Sequence, residues 1–441
     1  MPILVQPIPT DRFPRDGVDV VIVGGGIIGV SAALTLAERG ISVALLEKGE
    51  VAAEQSSRNW GWCRQQGRDP RELPLITESL KRWRLMDKRI NGRTGFNQCG
   101  TLYLADSEKS LEKQSQWLKF AEPFPIGASV IRTKAVEALL PGCARKWEGA
   151  LYCESDGRAE PFIAVPEMAK AAQAAGAAIL TQTAVYGLET EAGKISGVVT
   201  EKGTIRTTSV LIAAGAWSRL FCRAHNLLLP QLKVRSSVLR TGSFNNGPTT
   251  SISAPDYSIR YRADGGYTVA LGAKSKIYFD LTPDAFGLLP QFRKLAWMVR
   301  AHIAIRLSDR FSTEWQENHQ NLSNVLKKNR VLDPKPLTAP LNRARRALVR
   351  DFPGLVNIPI QEQWAGMIDV TPDAVPVISG IDHRPGLFIA TGFSGHGFGI
   401  GPAAGELAAD LITNRHPLVD PSPFRFSRFN DGSEIDPIVG I

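Results

Sequence analysis

The 441-residue sequence has no uninterrupted apolar run of the roughly 18 residues that a membrane-spanning helix needs. Hydrophobic residues make up 43% of the chain and charged residues 22%, as in ordinary folded proteins. The composition therefore excludes both a transmembrane protein and a disordered one. A chain of this length is expected to form two or three domains, or two interwoven ones.

Cysteine is scarce, and the few that are present follow no recognisable pattern. The odd number and wide spacing, without any C-x-x-C pair, exclude a disulfide framework and a zinc site of the usual kind. No histidine stands at a convincing metal-ligand spacing from another ligand, so we expect no metal. The five cysteines, expected to be reduced and mostly buried, are Cys63, Cys99, Cys143, Cys153 and Cys222.

The N-terminal segment MPILVQPIPTDRFPRDG lacks the hydrophobic core of a secretory signal. We expect a flexible leader on a cytoplasmic protein. Lysine and arginine number 52 against 43 aspartates and glutamates, and this net charge of +9 favours anionic partners such as carboxylates, phosphates or an acidic membrane face. No basic run is interleaved with aromatic residues, so nucleic-acid binding is not expected.

A complete βαβ unit for binding a dinucleotide opens the chain. The apolar run 18–23 predicts a buried parallel strand, the following glycines fit the pattern G-x-G-x-x-G, and SAALTLAERG predicts a helix. A second strand ends in an acidic residue suited to a ribose hydroxyl pair. This unit predicts an ADP moiety at a helix N-terminus without choosing between NAD and FAD. The predicted contacts are Gly24, Gly26, Ile27, Ile28, Gly29, Glu47 and Lys48.

Three later segments extend the pattern: EQSSRNWGWCRQQGRD after the second strand, IRTTSVLIAAGAW at 205–217, and WAGMIDVTPDAVPVIS with GLFIATGFSGHGFGIG near the C-terminus. In this order they resemble the D-amino-acid oxidase superfamily of FAD-dependent oxidoreductases, which includes glycine oxidase, sarcosine oxidase and D-amino-acid dehydrogenase. The resemblance spans almost the whole chain. It implies FAD as the cofactor, and contacts to it from Ser56, Ser57, Val185, Ala214, Gly215, Trp217, Gly395, His396, Gly397, Phe398 and Gly399.

The resemblance also implies a reaction, in which the C–N bond of an amino acid or secondary amine is oxidised to an imine by hydride transfer to flavin N5. Some relatives attach FAD through a cysteine shortly before a T-P-D element, but Gly366 stands at that position here, so we predict non-covalent FAD. Oxygen or a quinone-type electron-transfer partner would act as acceptor. The alternative is a non-catalytic flavoprotein of the same fold that serves as an assembly or binding factor.

The substrate side departs from the family pattern. Ile368 replaces the arginine that grips the substrate carboxylate in some members. Arg64 and Arg260 are the candidates to replace it, and His396 and Trp364 complete the predicted catalytic set. The sequence leaves open the choice of amino acid, D or L configuration, oxidase or dehydrogenase, and the oligomeric state.

The predicted fold class is α/β, with a Rossmann-type FAD-binding domain interwoven with an antiparallel-sheet α+β substrate domain. We assign segments 1–95, 150–225 and 346–441 to the first domain, and 96–149 and 226–345 to the second. A β-meander is expected between 183 and 215, and the tail from Pro417 to Ile441 is expected to be irregular. The sequence of residues 291–311 predicts a basic amphipathic helix. This helix would either cover a domain or contact the inner face of a membrane through residues 291–310.

Overall fold

The computed structural model describes residues 5–438, and the remaining residues at the two ends lie outside the described range. The strands in this range, labelled β1 to β22 in chain order, are Val20–Val23, Val43–Leu46, Trp62–Cys63, Asn97–Gln98, Thr101–Ala105, Ala128–Arg132, Gly149–Cys153, Gly157–Arg158, Ala178–Leu180, Val185–Glu191, Lys194–Thr200, Gly203–Arg206, Ser209–Ile212, Leu232–Ser243, Ser251–Ser253, Tyr257–Tyr261, Gly266–Leu271, Ile277–Asp280, Ile303–Arg306, Ile360–Val370, Val377–Gly380 and Leu387–Thr391.

The α-helices in the same range, α1 to α13, are Ile27–Glu38, Gln55–Arg58, Leu73–Arg89, Glu108–Ser115, Leu118–Ala121, Thr133–Leu139, Pro161–Ala174, Ser218–Ala224, Pro283–Val299, Arg310–His319, Leu322–Lys328, Thr338–Asp351 and Gly397–Ile412. Short 3₁₀ helices span Gly215–Trp217, Pro353–Leu355, Ser422–Phe424 and Phe426–Phe429.

A six-stranded sheet in the order β21-β22-β13-β1-β2-β9 forms the centre of the nucleotide-binding part. All its neighbouring pairs are parallel except β21 with β22. Both faces of β1 are covered, and all four of its residues are buried. A continuous run of β-branched residues suits this double burial, because neither face needs a polar side chain.

Helices α1, α7 and α13 cover one face of this sheet, and α1 lies between the other two. A Cβ atom at Gly405 of α13 would overlap the Cβ of Ser31 on α1. The absence of a side chain therefore lets the first and last helices of the described chain pack closely together. This contact places α1, near the start of the sequence, and α13, near its end, in the same helical layer.

The second large sheet has the order β19-β18-β14-β17-β16-β15-β5-β7-β6, and β20 also pairs with β14. Helix α12 covers one face, where Tyr257, Ile259 and Tyr267 enter its core. Residues of the opposite face, including Val238, Ala270 and Trp364, pack against Trp60 and Phe162. This opposite face therefore points toward the nucleotide-binding part of the molecule.

The predicted α/β class, with parallel and antiparallel sheets in one chain, is confirmed. The expected β-meander is present as β10, β11 and β12, after which β13 returns to the parallel sheet. Strand β20 belongs to the antiparallel sheet by its pairing with β14, although it falls inside a segment that we assigned to FAD binding. The division of the chain into two domains stays a prediction.

Two local predictions were wrong. The helix expected over 291–311 is α9, which ends at Val299, and a turn then leads into β19. Parallel pairing of β19 with β18 outweighs the helical periodicity there. The N-terminal leader is not flexible along residues 5–16, because Val5 and Ile8 are buried in the core and Asp11 hydrogen-bonds to Ile179. The first four residues of that leader lie outside the described range.

The C-terminal tail has no strand or α-helix in its described part, as expected, but it is firmly attached. Phe424 and Phe426 are buried, and the guanidinium of Arg428 donates two hydrogen bonds to the buried carboxylate of Asp373. Residues 439–441 of the predicted irregular tail lie outside the described range. Across residues 5–438, no helix is long and apolar enough to cross a membrane.

Candidate active site

The two glycine-rich segments predicted to bind the cofactor line one cleft. The cleft runs along the carboxyl ends of β1, β2 and β13, where ligands bind in open parallel sheets. Of the predicted cofactor contacts, those that line it are Gly24, Gly26, Ile27, Ile28, Glu47, Lys48, Ser56, Val185, Ala214, Gly215, Trp217, Gly395, Gly397 and Phe398.

The turn from β1 into α1 depends on close backbone contacts. Gly24 has a φ of +114°, and a Cβ there would overlap the carbonyl oxygen of Ala213. A Cβ at Gly29 would overlap the carbonyl of Gly24, so this glycine lets the helix start directly against the strand. Gly26 caps α1 without a side chain. The N-terminal amides and the positive end of the helix dipole therefore face the cleft.

Ser56 and Ser57 have different surroundings. The hydroxyl of Ser56 accepts a hydrogen bond of 2.9 Å from the amide of Ile27, and so lies at the first turn of α1. Ser57 is buried, donates to the carbonyl of Glu54 at 3.3 Å and does not line the cleft. Both belong to the one-turn helix α2.

Glu47 stands at the end of β2, and its carboxylate is held by the backbone on both sides. Its two oxygens accept hydrogen bonds of 2.8 Å from the amides of Gly25 and Gly49. Burial nevertheless raises the pKa of Glu47 above its usual value. The two amides therefore fix this carboxylate at one end of the cleft.

Lys48 and Trp217 both donate hydrogen bonds to Glu54, which was not among the predicted site residues. The Lys48 ammonium donates to Glu54 at 3.0 Å, and also to the carbonyls of Asn329 and Arg330 just after α11. The indole nitrogen of Trp217 donates to the same glutamate. Residues Leu322 and Leu326 of α11 line the cleft beside these groups. No motif in the sequence marks this helix as part of the site.

The C-terminal glycine-rich loop lines the opposite end of the cleft, together with Ile368 and Asp369 of β20. The loop is fixed from both sides. Asp369 accepts a 2.8 Å hydrogen bond from the amide of Gly392, and the carbonyl of Gly399 accepts from the side chains of Ser79 and Trp83 on α3. Gly399 itself is not among the lining residues.

The predicted catalytic residues do not all face open space. Arg260 has only 1% of its surface exposed and pairs with Glu160 at 2.7 Å. Trp364 is buried and donates its indole N–H to the carbonyl of Arg58 at 3.0 Å.

Arg64 is half-buried, and it takes part in no ion pair among the described residues. Its guanidinium carbon lies 5.8 Å from the ring centroid of Trp62 and 5.6 Å from that of Tyr103.

His396 lies behind the loop rather than in the cleft lining. Its Nδ1 is 3.2 Å from a carboxylate oxygen of Glu72, and both residues are buried. Glu72 was not predicted, because it is more than 300 positions away in sequence and no motif relates the two residues. Among the described residues, no cluster of three or more His, Cys, Asp or Glu side chains has the arrangement of a metal site.

A dinucleotide cleft at the edge of a parallel sheet, facing an antiparallel sheet, defines the class of dinucleotide-dependent oxidoreductases. Residues 19–411 match the model of the FAD dependent oxidoreductase family, DAO, so the chain belongs to that family. FAD is accordingly its cofactor. The cleft fits this cofactor, because its glycine cradle, helix N-terminus and terminal acid match the parts of an ADP group.

Individual relatives agree with this assignment. The solved structure of L-amino acid deaminase from Proteus myxofaciens in complex with anthranilate is 32% identical, covers 97% of each chain and superposes with a TM-score of 0.91. The L-amino acid deaminase from Proteus vulgaris is 30% identical over 96% of this chain and 100% of its own, with a TM-score of 0.90. Glycine oxidase of Pseudomonas aeruginosa is 25% identical over 92% of this chain and 97% of its own.

Replacing Glu47 by Ala is expected to weaken FAD binding by about 1–3 kcal/mol, the cost of removing one partner of a buried polar group. The measurement is the FAD dissociation constant of the apoprotein by flavin fluorescence, with Glu191→Ala at an exposed strand end as the control. Unchanged FAD affinity of Glu47→Ala would show that Glu47 does not bind the ribose.

Proposed function

We propose that this protein oxidises the C–N bond of an amino acid to an imine, which water then hydrolyses to an oxo acid and ammonium. When bound, FAD would supply the hydride acceptor, its N5 atom. The observation that carries the proposal is the cleft end between the C-terminal glycine loop and β20. Arg64, which takes part in no ion pair among the described residues, does not line this cleft, but its backbone lies against Gly399 of the loop. Two relatives named L-amino acid deaminase and one named glycine oxidase support an amino acid as substrate.

The cofactor is proposed to lie along the cleft with its adenine end at Val185 and its flavin ring at the C-terminal glycine loop. The residues from Gly24 to Ile28, with Ser56, would hold the pyrophosphate, Glu47 the ribose, and Val185 the adenine. The ring end would lie against Ala214, Gly215 and the loop from Gly395 to Phe398.

Attachment of FAD is proposed to be non-covalent. No cysteine lines the cleft within residues 5–438. A Cβ at Gly366 would overlap the side-chain oxygen of Gln55, so a side chain at the position where some relatives carry the linking cysteine would have to displace Gln55 here.

Arg64 is the better candidate for the substrate carboxylate. Arg260 is already neutralised by Glu160 in a buried pair, and moving it to a substrate would leave that glutamate without its partner. Arg64 has neighbouring aromatic rings and takes part in no ion pair among the described residues, and its backbone nitrogen lies 3.5 Å from the position of a Cβ at Gly399 in the glycine loop. The planar fork of an arginine suits bidentate binding of a carboxylate.

The chain contributes to the chemistry mainly by positioning and by excluding water. Trp364 and Phe162 pack edge to face at 5.9 Å, and with Trp60 they form an apolar wall on the sheet face. A wall of this kind keeps water from the reacting carbon and raises the strength of the arginine–carboxylate contact. Holding the substrate C–H in line with its acceptor replaces a costly encounter in solution.

We also propose that the segment from α9 to α10 docks on an acidic membrane face, where a quinone-type acceptor would be available. Large apolar side chains are exposed there, including Trp297 at 69% and Leu307 at 82%. Basic residues accompany them, so both components of interfacial binding are present. The exposed apolar residues are Phe286, Leu289, Trp297, Ile305, Leu307, Phe311 and Trp315. The exposed basic residues without an ion pair among the described residues are Arg293 and Arg300, whereas Lys294, Arg306 and Arg310 pair with carboxylates.

The reaction is tested by mixing the FAD-loaded protein anaerobically with a panel of D- and L-amino acids and simple amines. Bleaching of the oxidised flavin band by one or more α-amino acids is the expected outcome. Bleaching by amines alone would replace an amino acid by a plain amine as substrate. No bleaching by any member would leave the alternative of a non-catalytic flavoprotein.

Arg64→Ala is expected to lower kcat/KM for the best amino acid at least tenfold while FAD stays bound, because loss of a desolvated charge-assisted pair costs about 2–5 kcal/mol. Arg64→Lys should recover only part of this loss, since lysine lacks the planar fork. Arg260→Ala should mainly reduce the free energy of unfolding, measured in denaturant. Exposed Arg93 supplies the matched control Arg93→Ala. Full activity of Arg64→Ala would contradict its role.

Membrane docking is tested by sedimentation with vesicles of phosphatidylglycerol and phosphatidylcholine. We expect binding that increases with the phosphatidylglycerol fraction and is lost in the double variant Trp297→Ser, Leu307→Ser. Leu85 is similarly exposed but lies on α3, and Leu85→Ser is the control that should keep binding. If the wild-type protein ignores the vesicles and elutes as a dimer that the double variant disrupts, the apolar surface is instead a subunit interface.

A further inference from the structure

A groove lies between α12 and the turn that joins β17 to β18, on the side of the antiparallel sheet that faces away from the nucleotide-binding part. Leu271, Ala344 and Ala347 supply the apolar part of its lining, while Ser275 and Tyr278 supply hydroxyl groups. None of its lining residues is shared with the FAD cleft. The groove is therefore a second cavity, separate from the candidate active site.

Charged side chains give the groove a positive lining. Among the described residues that line it, Asp256 is the only carboxylate. Basic side chains come from both walls, from the turn after β17 and from one side of α12, and all of them are exposed. An anion that enters the groove therefore meets cations on both walls. These basic residues are Lys274, Lys276, Arg343, Arg346 and Arg350.

Nearby carboxylates neutralise only two of these cations. The ammonium of Lys274 lies 2.8 Å from a carboxylate oxygen of Asp106. The guanidinium of Arg350 lies 2.9 Å from Asp351 and 3.5 Å from Asp256. The other three basic residues take part in no ion pair within residues 5–438, so the groove keeps a positive charge that this part of the chain does not balance.

Hydrogen bonding of these three cations is also incomplete. The guanidinium of Arg343 donates to the hydroxyl of Tyr278 at 3.3 Å, and the ammonium of Lys276 donates to the carbonyl of Ala301 at 2.7 Å. Within the described chain, the side chain of Arg346 makes no hydrogen bond, and the hydroxyl hydrogen of Tyr278 has no acceptor. N–H and O–H donors therefore remain for a ligand that accepts hydrogen bonds.

The arginines that line the groove from α12 are arranged unfavourably for the helix itself. Arg343, Arg346 and Arg350 are three and four positions apart, so they stand on one side of the helix, while Leu341 and Leu348 are buried in the core. Like charges at these spacings repel one another and destabilise a helix. An anion bound between them removes this repulsion, so binding is expected to stabilise α12.

We propose that this groove binds two or more phosphate groups, carried either by one soluble compound or by neighbouring phospholipid headgroups. Arg343 and Arg346 hold one phosphate from the helix side, because a planar guanidinium matches two phosphate oxygens. Lys276 binds a second phosphate from the turn side with the donors that its ammonium has left. Several negative charges neutralise both walls of the groove, whereas a single carboxylate would balance only one of them.

The first test is calorimetric titration of the FAD-loaded protein with inorganic tripolyphosphate. We expect saturable binding that weakens as sodium chloride is raised from about 20 to about 200 mM, because salt screens exposed charges. The double variant Arg343→Gln, Arg346→Gln, here the groove variant, should bind about tenfold more weakly or worse. The matched control Arg93→Gln, Arg415→Gln removes the same charge from two exposed arginines outside the groove, and it should keep the wild-type affinity.

Thermal unfolding separates a binding role of these arginines from a structural one. Tripolyphosphate should raise the Tm of the wild type and of the control, and it should leave the Tm of the groove variant unchanged. Without tripolyphosphate, at low salt, the groove variant should melt at or above the wild-type Tm, because the repulsion within α12 has been removed. A Tm well below that of the wild type would show that the arginines serve the fold, and would overturn the proposal.

Sedimentation with phosphatidylglycerol vesicles identifies the source of the phosphate groups. If the groove variant sediments like the wild type while its binding of tripolyphosphate is lost, the ligand is a soluble compound. If the groove variant loses the vesicle binding that the wild type shows, the phosphate groups belong to lipid headgroups. The proposal is overturned if the wild type binds neither tripolyphosphate nor vesicles, or if the groove variant binds both as the wild type does.

Discussion

Direct contact between the end of β1 and the start of α1 is the constraint on which the site depends. At Gly29 of α1 the carbonyl of Gly24 occupies the space that a side chain would fill, and at Gly24 the carbonyl of Ala213, which follows β13, does the same. This contact aims the helix N-terminus into the cleft and sets where β2 must end, and hence where Glu47 meets the backbone amides. The closely packed α1 and α13 then bring the C-terminal glycine loop to the same cleft.

Buried charge is the second organising element. Arginine–carboxylate pairs such as Arg260 with Glu160 and Arg428 with Asp373 are almost fully enclosed and connect distant parts of the chain. Each charge is stable there only while its partner is present, because the desolvation penalty of an unpaired ion is several kcal/mol. Arg64 and the buried Arg68 differ from these pairs, because neither takes part in an ion pair among the described residues. Their guanidinium groups donate instead to the backbone carbonyls of Gln66 and Arg64.

Sequence patterns predicted the local units well and the long-range pairings poorly. The strand, glycine turn, helix and acid of the nucleotide unit are contiguous, so their spacing predicted their arrangement. Residues 303–306 of the helix expected over 291–311 form β19 instead, because they pair with β18. This pairing is visible only in the folded structure. Likewise, nothing near Glu72 or Glu160 in the sequence indicates His396 or Arg260, because complementary charges at large separations meet only after the sheets are assembled.

Helix α11 closes one wall of the cleft, with Leu322 and Leu326 in the lining and the following carbonyls bonded to Lys48. The position of this wall depends on the hydrogen bonds that Lys48 donates to those carbonyls. The width of the cleft is therefore coupled to a contact that lies outside both glycine-rich segments.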